Sequence, residues 1–323
     1  MITEEEILQK IEDTWVVLKQ YRAQYFKQKP FEDELLTFLL DAYQEDPQLM
    51  VNLFWKYFDS PKSISNSPES KKAPYVVYLF SAIVEYPDPL SIEMACQLLV
   101  HSDSSYDEDS ARFLYDAKDP VAVPYLIEAL KSDDYGVVRE AALALGNIGD
   151  SRAEPHLLEI VEMYDNDEVY SDDRIDDAYP IIRYNTFIAL CLLNTPTSNE
   201  KIIESVFGDR DKGIQQQALR HLIIVKPDVA MPYIEELMIT QPETISSLVS
   251  RVPGASIPYF EKLLEHEDLK IVLLAKKYLG RATVYNLVNS KPQEATTILE
   301  SLSEHPDREV AVFAREYLNE LQS

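Results

Sequence analysis

Residues 119–150 read Asp-Pro-Val-Ala-Val-Pro-Tyr-Leu-Ile-Glu-Ala-Leu-Lys-Ser-Asp-Asp-Tyr-Gly-Val-Val-Arg-Glu-Ala-Ala-Leu-Ala-Leu-Gly-Asn-Ile-Gly-Asp. They encode one helix–turn–helix unit, and looser copies of it recur down the chain. A helical pair of this size cannot bury its own apolar face, so successive copies must stack on one another. The chain is therefore expected to be a solenoid, an architecture that is mostly surface for holding something else.

The unit is legible residue by residue. Asp119 is suited to cap a first helix, and Pro120 stands where a missing N–H costs nothing. Val123, Leu126, Ile127 and Leu130 follow at three- and four-residue steps and form one apolar stripe. Pro124 falls in the first turn or just beyond it, where the helix tolerates it. Ser132, Asp133 and Asp134 stop that helix and supply the next N-cap. The second helix carries Val137, Ala141 and Leu145 at i, i+4 and i+8, flanked by Val138, Ala142 and Leu143, and Gly146 and Gly149 mark its end.

The second-helix stripe returns as Ile181, Asn185 and Ala189; as Ile214, Ala218 and Leu222; as Ile271, Ala275 and Leu279; and as Val310, Ala314 and Leu318. First helices return, each opening with Pro and then Tyr or His, at Pro124, Pro155, Pro232 and Pro258. Successive stripes stand 44, 33, 57 and 39 residues apart, and the longest gap has room for a further pair with 243–252 as a short second helix.

Asp-Pro-x-x-x-Pro-x-Leu-x-x-Ala-Leu, a short turn, then Val-Arg-x-x-Ala-Ala-x-Ala-Leu-Gly-x-Ile-Gly resembles the HEAT-like repeat of phycobilisome bilin lyases. The resemblance is strong over 119–150, fair over 151–194 and weak beyond; residues 1–100 show helices but no convincing repeat. It implies a right-handed α-solenoid with a polar ladder between repeats, in which Asp134, Arg139 and Arg183 take the ladder positions. Gln216 and Leu273 stand where further arginines would be, so the ladder is incomplete.

Composition agrees with an all-α chain. Only seven glycines occur in 323 residues, well under the usual ~7%, and neither common nucleotide-binding fingerprint is present. The acidic start, Met-Ile-Thr-Glu-Glu-Glu, lacks the apolar segment of a secretory signal, and the longest apolar run, 75–84, is too short to span a bilayer. Cys96 and Cys191 sit in apolar helical stretches and read as buried free thiols of a reducing compartment. A cytoplasmic protein that does not enter membranes is the expectation.

The formal net charge is −26. Residues 101–200 hold 22 Asp and Glu against 7 Lys and Arg, whereas 251–300 hold 6 against 7. An acidic field of this kind repels phosphates, which argues against nucleic acid and for a protein partner with a basic patch.

From the N-terminus, 4–28 reads as a long helix burying Ile7, Ile11, Trp15, Leu18 and Tyr25. Helices follow at 31–44 and 47–58, the latter so aromatic that it reads as core plugging the open end of the solenoid. Residues 60–72, with two Ser-Pro steps, read as a linker or long loop, and helices resume at about 74–86, 88–101 and 106–116. The expected organisation is a divergent helical cap over 1–60, a linker over 61–72, and a HEAT-like α-solenoid over 73–323 continuous with the cap.

Between the two helices of one repeat lies an acidic insertion. Asp165, Asp167, Glu168, Asp172, Asp173, Asp176 and Asp177 face a single Arg174, punctuated by Tyr164, Tyr170 and Tyr179. Repeat-protein insertions land on one face, often the binding face. The segment is not an EF-hand, since Val169 and Tyr170 occupy the fifth and sixth positions counted from Asp165. His101, His156, His221, His266 and His305 are widely separated, with no metal-binding or nucleophile motif around them. No cofactor, metal site or catalytic set is expected.

These features favour a non-enzymatic scaffold whose second helices line a concave groove. By register with Val137, the groove is expected to show Glu140, Tyr184, Phe187, Gln217 and Arg220, with Asp165, Asp167, Tyr170, Asp172, Asp173, Asp176 and Asp177 of the insertion beside it. The resemblance also implies a bilin lyase or chromophore-handling subunit as an alternative, although the repeat transfers fold better than activity. A HEAT-like DNA glycosylase is a second alternative, opposed by the net charge. The sequence leaves the partner's identity and the oligomeric state open.

Overall fold

A computed structural model describes residues 2–20, 25–58, 73–101, 106–163 and 178–322. The linker expected over 61–72 and the acidic residues 165–177 lie outside them. Among the described residues every regular element is helical, and the chain is an all-α solenoid of paired helices. It divides into two compact units, Met1–Leu193 and Asn194–Ser323.

The first unit begins with α1 (Glu4–Gln20), α2 (Tyr25–Glu45), α3 (Pro47–Phe58) and α4 (Ala73–Ile83). Ile7, Ile11 and Leu18 are buried as expected, and Trp15 is half-buried. Of the helix expected over 4–28, Glu4–Gln20 belong to α1, residues 21–24 lie outside the described residues, and Tyr25 is the first described residue of α2. That helix runs through Pro30, accepting the loss of one backbone hydrogen bond in its second turn. The aromatics of α3 are core: Phe54 is fully buried and stacks on Phe58, with Phe80 of α4 and Tyr106 closing the cluster.

Three helical pairs follow: α5 (Pro89–Leu99) with α6 (Asp107–Ala117), α7 (Val123–Ala129) with α8 (Tyr135–Ile148), and α9 (Glu154–Met163) with α10 (Ala178–Leu193). Aspartates set four of these starts. Asp88 and Asp134 cap α5 and α8, while Asp119 and Asp150 cap the 3₁₀ turns that lead into α7 and α9. Helix α8 ends at Gly149, whose φ of 77° suits a residue without Cβ. Gly146 does not end the helix; it lies buried inside it.

The second unit contains α11 (Pro196–Gly208), α12 (Lys212–Val225), α13 (Pro227–Thr240), α14 (Pro242–Arg251), α15 (Pro253–Leu263), α16 (Leu269–Ser290), α17 (Ala295–Leu302) and α18 (Arg308–Gln322). The pair expected in the 57-residue gap is α13 with α14. Helices α13 and α15 start one turn before the Pro-Tyr signals, so Pro232 and Pro258 lie inside them. The stripes of α12, α16 and α18 bury Ile214, Ala218, Leu222, Ile271, Ala275, Val310 and Ala314, and Leu279 and Leu318 are half-buried.

Candidate functional site

In the first unit the second helices α6, α8 and α10 pack closely side by side. Helix α8 buries Val137, Val138, Ala141, Ala142, Ala144, Leu145 and Gly146. Helix α10 buries Ile182, Arg183, Thr186, Phe187, Ala189, Leu190 and Cys191, the same pattern 45 residues on. The sequence spacing of 44 is therefore one residue short, and Ile181 is 51% exposed. The slip reassigns two expected residues. Arg183 occupies the Val138 position, fully buried, with Nε donating to the Val161 carbonyl at 3.3 Å, so it ties α10 to α9. Phe187 occupies the Ala142 position, is fully buried, and does not face a groove.

Outside this apolar seam the polar residues form a network rather than a simple ladder. Asp134 caps α8 through the amides of Gly136 and Val137. Arg139 turns back to α6, its guanidinium 2.9 Å from Glu108, and also holds Glu140 at 2.9 Å. Arg112 of α6 lies 3.1 Å from Glu108, 3.5 Å from Asp109 and 3.6 Å from Glu140. Two guanidinium groups thus stand among three carboxylates, bridging adjacent repeats, and Glu140 is the most sheltered acid, its side chain 13% exposed. Tyr184, at the position equivalent to Arg139 in α10, is half-buried.

In the second unit Gln216 takes the Arg139 position and accepts from Ser247 Oγ of α14 at 2.9 Å. Gln217 accepts from Arg220, and both are half-buried. The bond made from the Arg139 position is therefore neutral here and charged in the first unit.

The second-helix layer of the first unit also holds a groove that sequence reasoning missed. Helices α4 and α6 do not pack as α6 and α8 do, and a cavity of about 570 Å³ lies between them. Phe80, Tyr106 and Phe113 form its floor, with the Phe80 and Tyr106 ring centroids 4.7 Å apart. Val77 and Ser81 line it from α4 and Glu85 from the turn that follows; Asp109, Arg112 and Asp116 line it from one face of α6. Burial, and then the charge of Asp109, push the Tyr106 hydroxyl up to about 12. Aromatic and acidic residues were visible in the sequence here, but the separation of α4 from α6 was not.

Among the described residues no cluster of His, Cys, Asp and Glu is arranged to hold a metal ion. Cys96 and Cys191 are buried free thiols, and burial pushes the Cys96 thiol up to about 12, far from a reactive thiolate. His221 is buried against Asn199. Residues Asp165, Asp167, Tyr170, Asp172, Asp173, Asp176 and Asp177 lie outside the described residues, between the end of α9 and the start of α10. No described helix is long and apolar enough to cross a membrane.

The HEAT repeats family matches residues 81–172, from the end of α4 past α9. No curated protein matches the chain in sequence. Among solved structures, the complex of CpcE and CpcF of phycocyanin lyase from Nostoc sp. PCC7120 is 17% identical, with a TM-score of 0.41 over 85% of this chain and 94% of that one. An engineered protein is 16% identical, with a TM-score of 0.40 over 97% and 99%. Human deoxyhypusine hydroxylase in complex with glycerol is 15% identical, with a TM-score of 0.32 over 90% and 99%.

Proposed function

We propose that this HEAT-like repeat protein is a non-enzymatic scaffold that holds a protein partner through a basic patch. The second-helix face of the first unit is the contact surface, and the acidic segment between α9 and α10 steers the partner toward it. One observation carries the reading. On α6 and α8, Glu108, Asp109 and Glu140 outnumber Arg112 and Arg139 in a network that is partly exposed, so the face is prearranged and negative.

Charge supports the same reading at longer range. With 22 acidic and 7 basic residues over 101–200, this part of the chain attracts a basic surface and repels nucleic acid. Such attraction acts mainly on the association rate and fades as the Debye length falls from about 10 Å at 0.1 M salt to about 3 Å at 1 M.

Capture of partners on the immobilised chain, followed by association kinetics with the identified partner, tests the proposal. Replacing Asp172, Asp173, Asp176 and Asp177 with Asn is expected to slow association and flatten its salt dependence while leaving folding untouched. If the partner is not basic, or the four-Asn variant associates at the parental rate in low salt, the proposal fails.

A further inference from the structure

We infer that the groove between α4 and α6 seats an arginine side chain presented by an extended basic segment of a partner. The guanidinium faces Glu85 and Asp116, and its stem lies on Tyr106 and Phe80. The inference rests on the reading of the chain as a scaffold for a basic protein, and it names where the deepest contact is made.

Charge identifies the occupant. Glu85, Asp109 and Asp116 line the groove against one cation, Arg112, which Glu108, Asp109 and Glu140 already engage. Glu85 and Asp116 are exposed, and no basic side chain among the described residues pairs with either. An anionic occupant would be repelled, and a purely apolar one would strip water from two carboxylates without replacing it. A bare metal ion is disfavoured because no three ligating side chains converge there among the described residues.

The floor narrows the choice among cations. Phe80 and Phe113 offer only aromatic carbon, Tyr106 offers a ring edged by its hydroxyl, and Val77 adds an apolar wall that is 47% exposed. A planar guanidinium suits both features, since it stacks on aromatic faces and meets carboxylates in a bidentate fork, whereas an ammonium holds its hydration shell more tightly. The volume, about 570 Å³, is that of a ligand pocket and admits a side chain with part of its backbone.

Continuity favours a peptide over a free small cation. Asp109 and Arg112 belong both to the groove and to the network reaching Glu140 on α8. An extended segment crossing α6 therefore meets the groove first and the α8 carboxylate next.

The test uses a fluorescein-labelled peptide, Gly-Lys-Leu-Arg-Leu-Lys-Gly, and versions with citrulline or lysine in place of arginine, titrated with the full chain by anisotropy. Ser81→Trp fills the groove from an exposed site on α4 without changing charge. Glu85→Gln with Asp116→Asn removes the two unpaired carboxylates, and Glu265→Gln with Glu267→Gln removes two exposed carboxylates in the second unit as a control. Thermal melts confirm that each variant is folded. Ser81→Trp and the groove pair are each expected to weaken binding about tenfold, and the control pair less than about twofold. Citrulline should cost about as much in the parent but little in the groove pair. Parental affinity in Ser81→Trp, or equal losses in the groove and control pairs, overturns the groove assignment and leaves the scaffold reading standing. Binding that depends on the groove but is indifferent to arginine, lysine or citrulline overturns the arginine assignment. Free arginine amide competing as well as the peptide overturns the extended segment in favour of a small-molecule site.

Discussion

Gly146 of α8 backs directly onto the main chain of α10 at Ala189. A methyl group in place of the Gly146 hydrogen would lie 2.5 Å from Ala189 Cα and 2.8 Å from both its Cβ and its carbonyl oxygen. This contact sets how closely adjacent repeats approach, and backbone on one side leaves little room to yield. Gly146→Ala is expected to destabilise the chain by about 1–3 kcal/mol from overpacking, despite the ~1 kcal/mol that alanine gains over glycine within a helix. Gly208, at the end of α11, has nothing within 4 Å of an added Cβ. There the same substitution should stabilise by about 0.4–1 kcal/mol through the unfolded state. Urea midpoints that shift in the same direction for both variants would contradict the packing.

The one-residue register difference between α8 and α10 predicts unlike costs for two arginines. Arg183→Ala empties a fully buried site and is expected to cost about 2–5 kcal/mol, on the scale of other large-to-small core changes. Arg139→Ala breaks partly exposed ion pairs to Glu108 and Glu140 and should cost under about 1 kcal/mol, less at high salt. Equal costs in chemical denaturation would mean that the two residues occupy equivalent places after all.

These sites show why the fold was legible in the sequence and the site was not. The α8 stripe is unambiguous because alanines alternate with Val137 and Leu145 on one face. In α10, Ile181 and Ile182 are both apolar, and Arg183 mimics the Val-Arg signal, so the template fits one residue early. Phe187 then falls on the wrong face. Gly146 reads as a helix stop because glycine commonly is one, while its partner Ala189 lies on another helix and is invisible to local pattern. The groove depends on how far α4 stands from α6, a tertiary distance that no periodicity encodes.

His221 gives the second unit a pH dependence with a definite sign. Its Nε2 lies 3.1 Å from Asn199 Oδ1, and the Asn199 amide donates in turn to Asn194 Oδ1 and the Thr195 carbonyl. Burial, and then the nearby Lys226 charge, lower its pKa. The folded state therefore binds this proton less tightly than the unfolded state does, so the contribution is complete above the unfolded value of about 6.5 and is lost as pH falls through the folded one. Stability of the parent should fall faster below about pH 6.5 than that of His221→Gln, whose side chain does not titrate. Parallel stability profiles for the two proteins would remove His221 from the account.

The claim that the second helices of the first unit form the contact surface is tested most directly by hydrogen exchange. Mass spectrometry of the full chain, free and bound to its captured basic partner, reports which backbone segments the partner shields. Added protection is expected over α6, α8 and α10, with little change over α5, α7 and α9. Protection confined to the first helices α5, α7 and α9, or to the second unit alone, would contradict it.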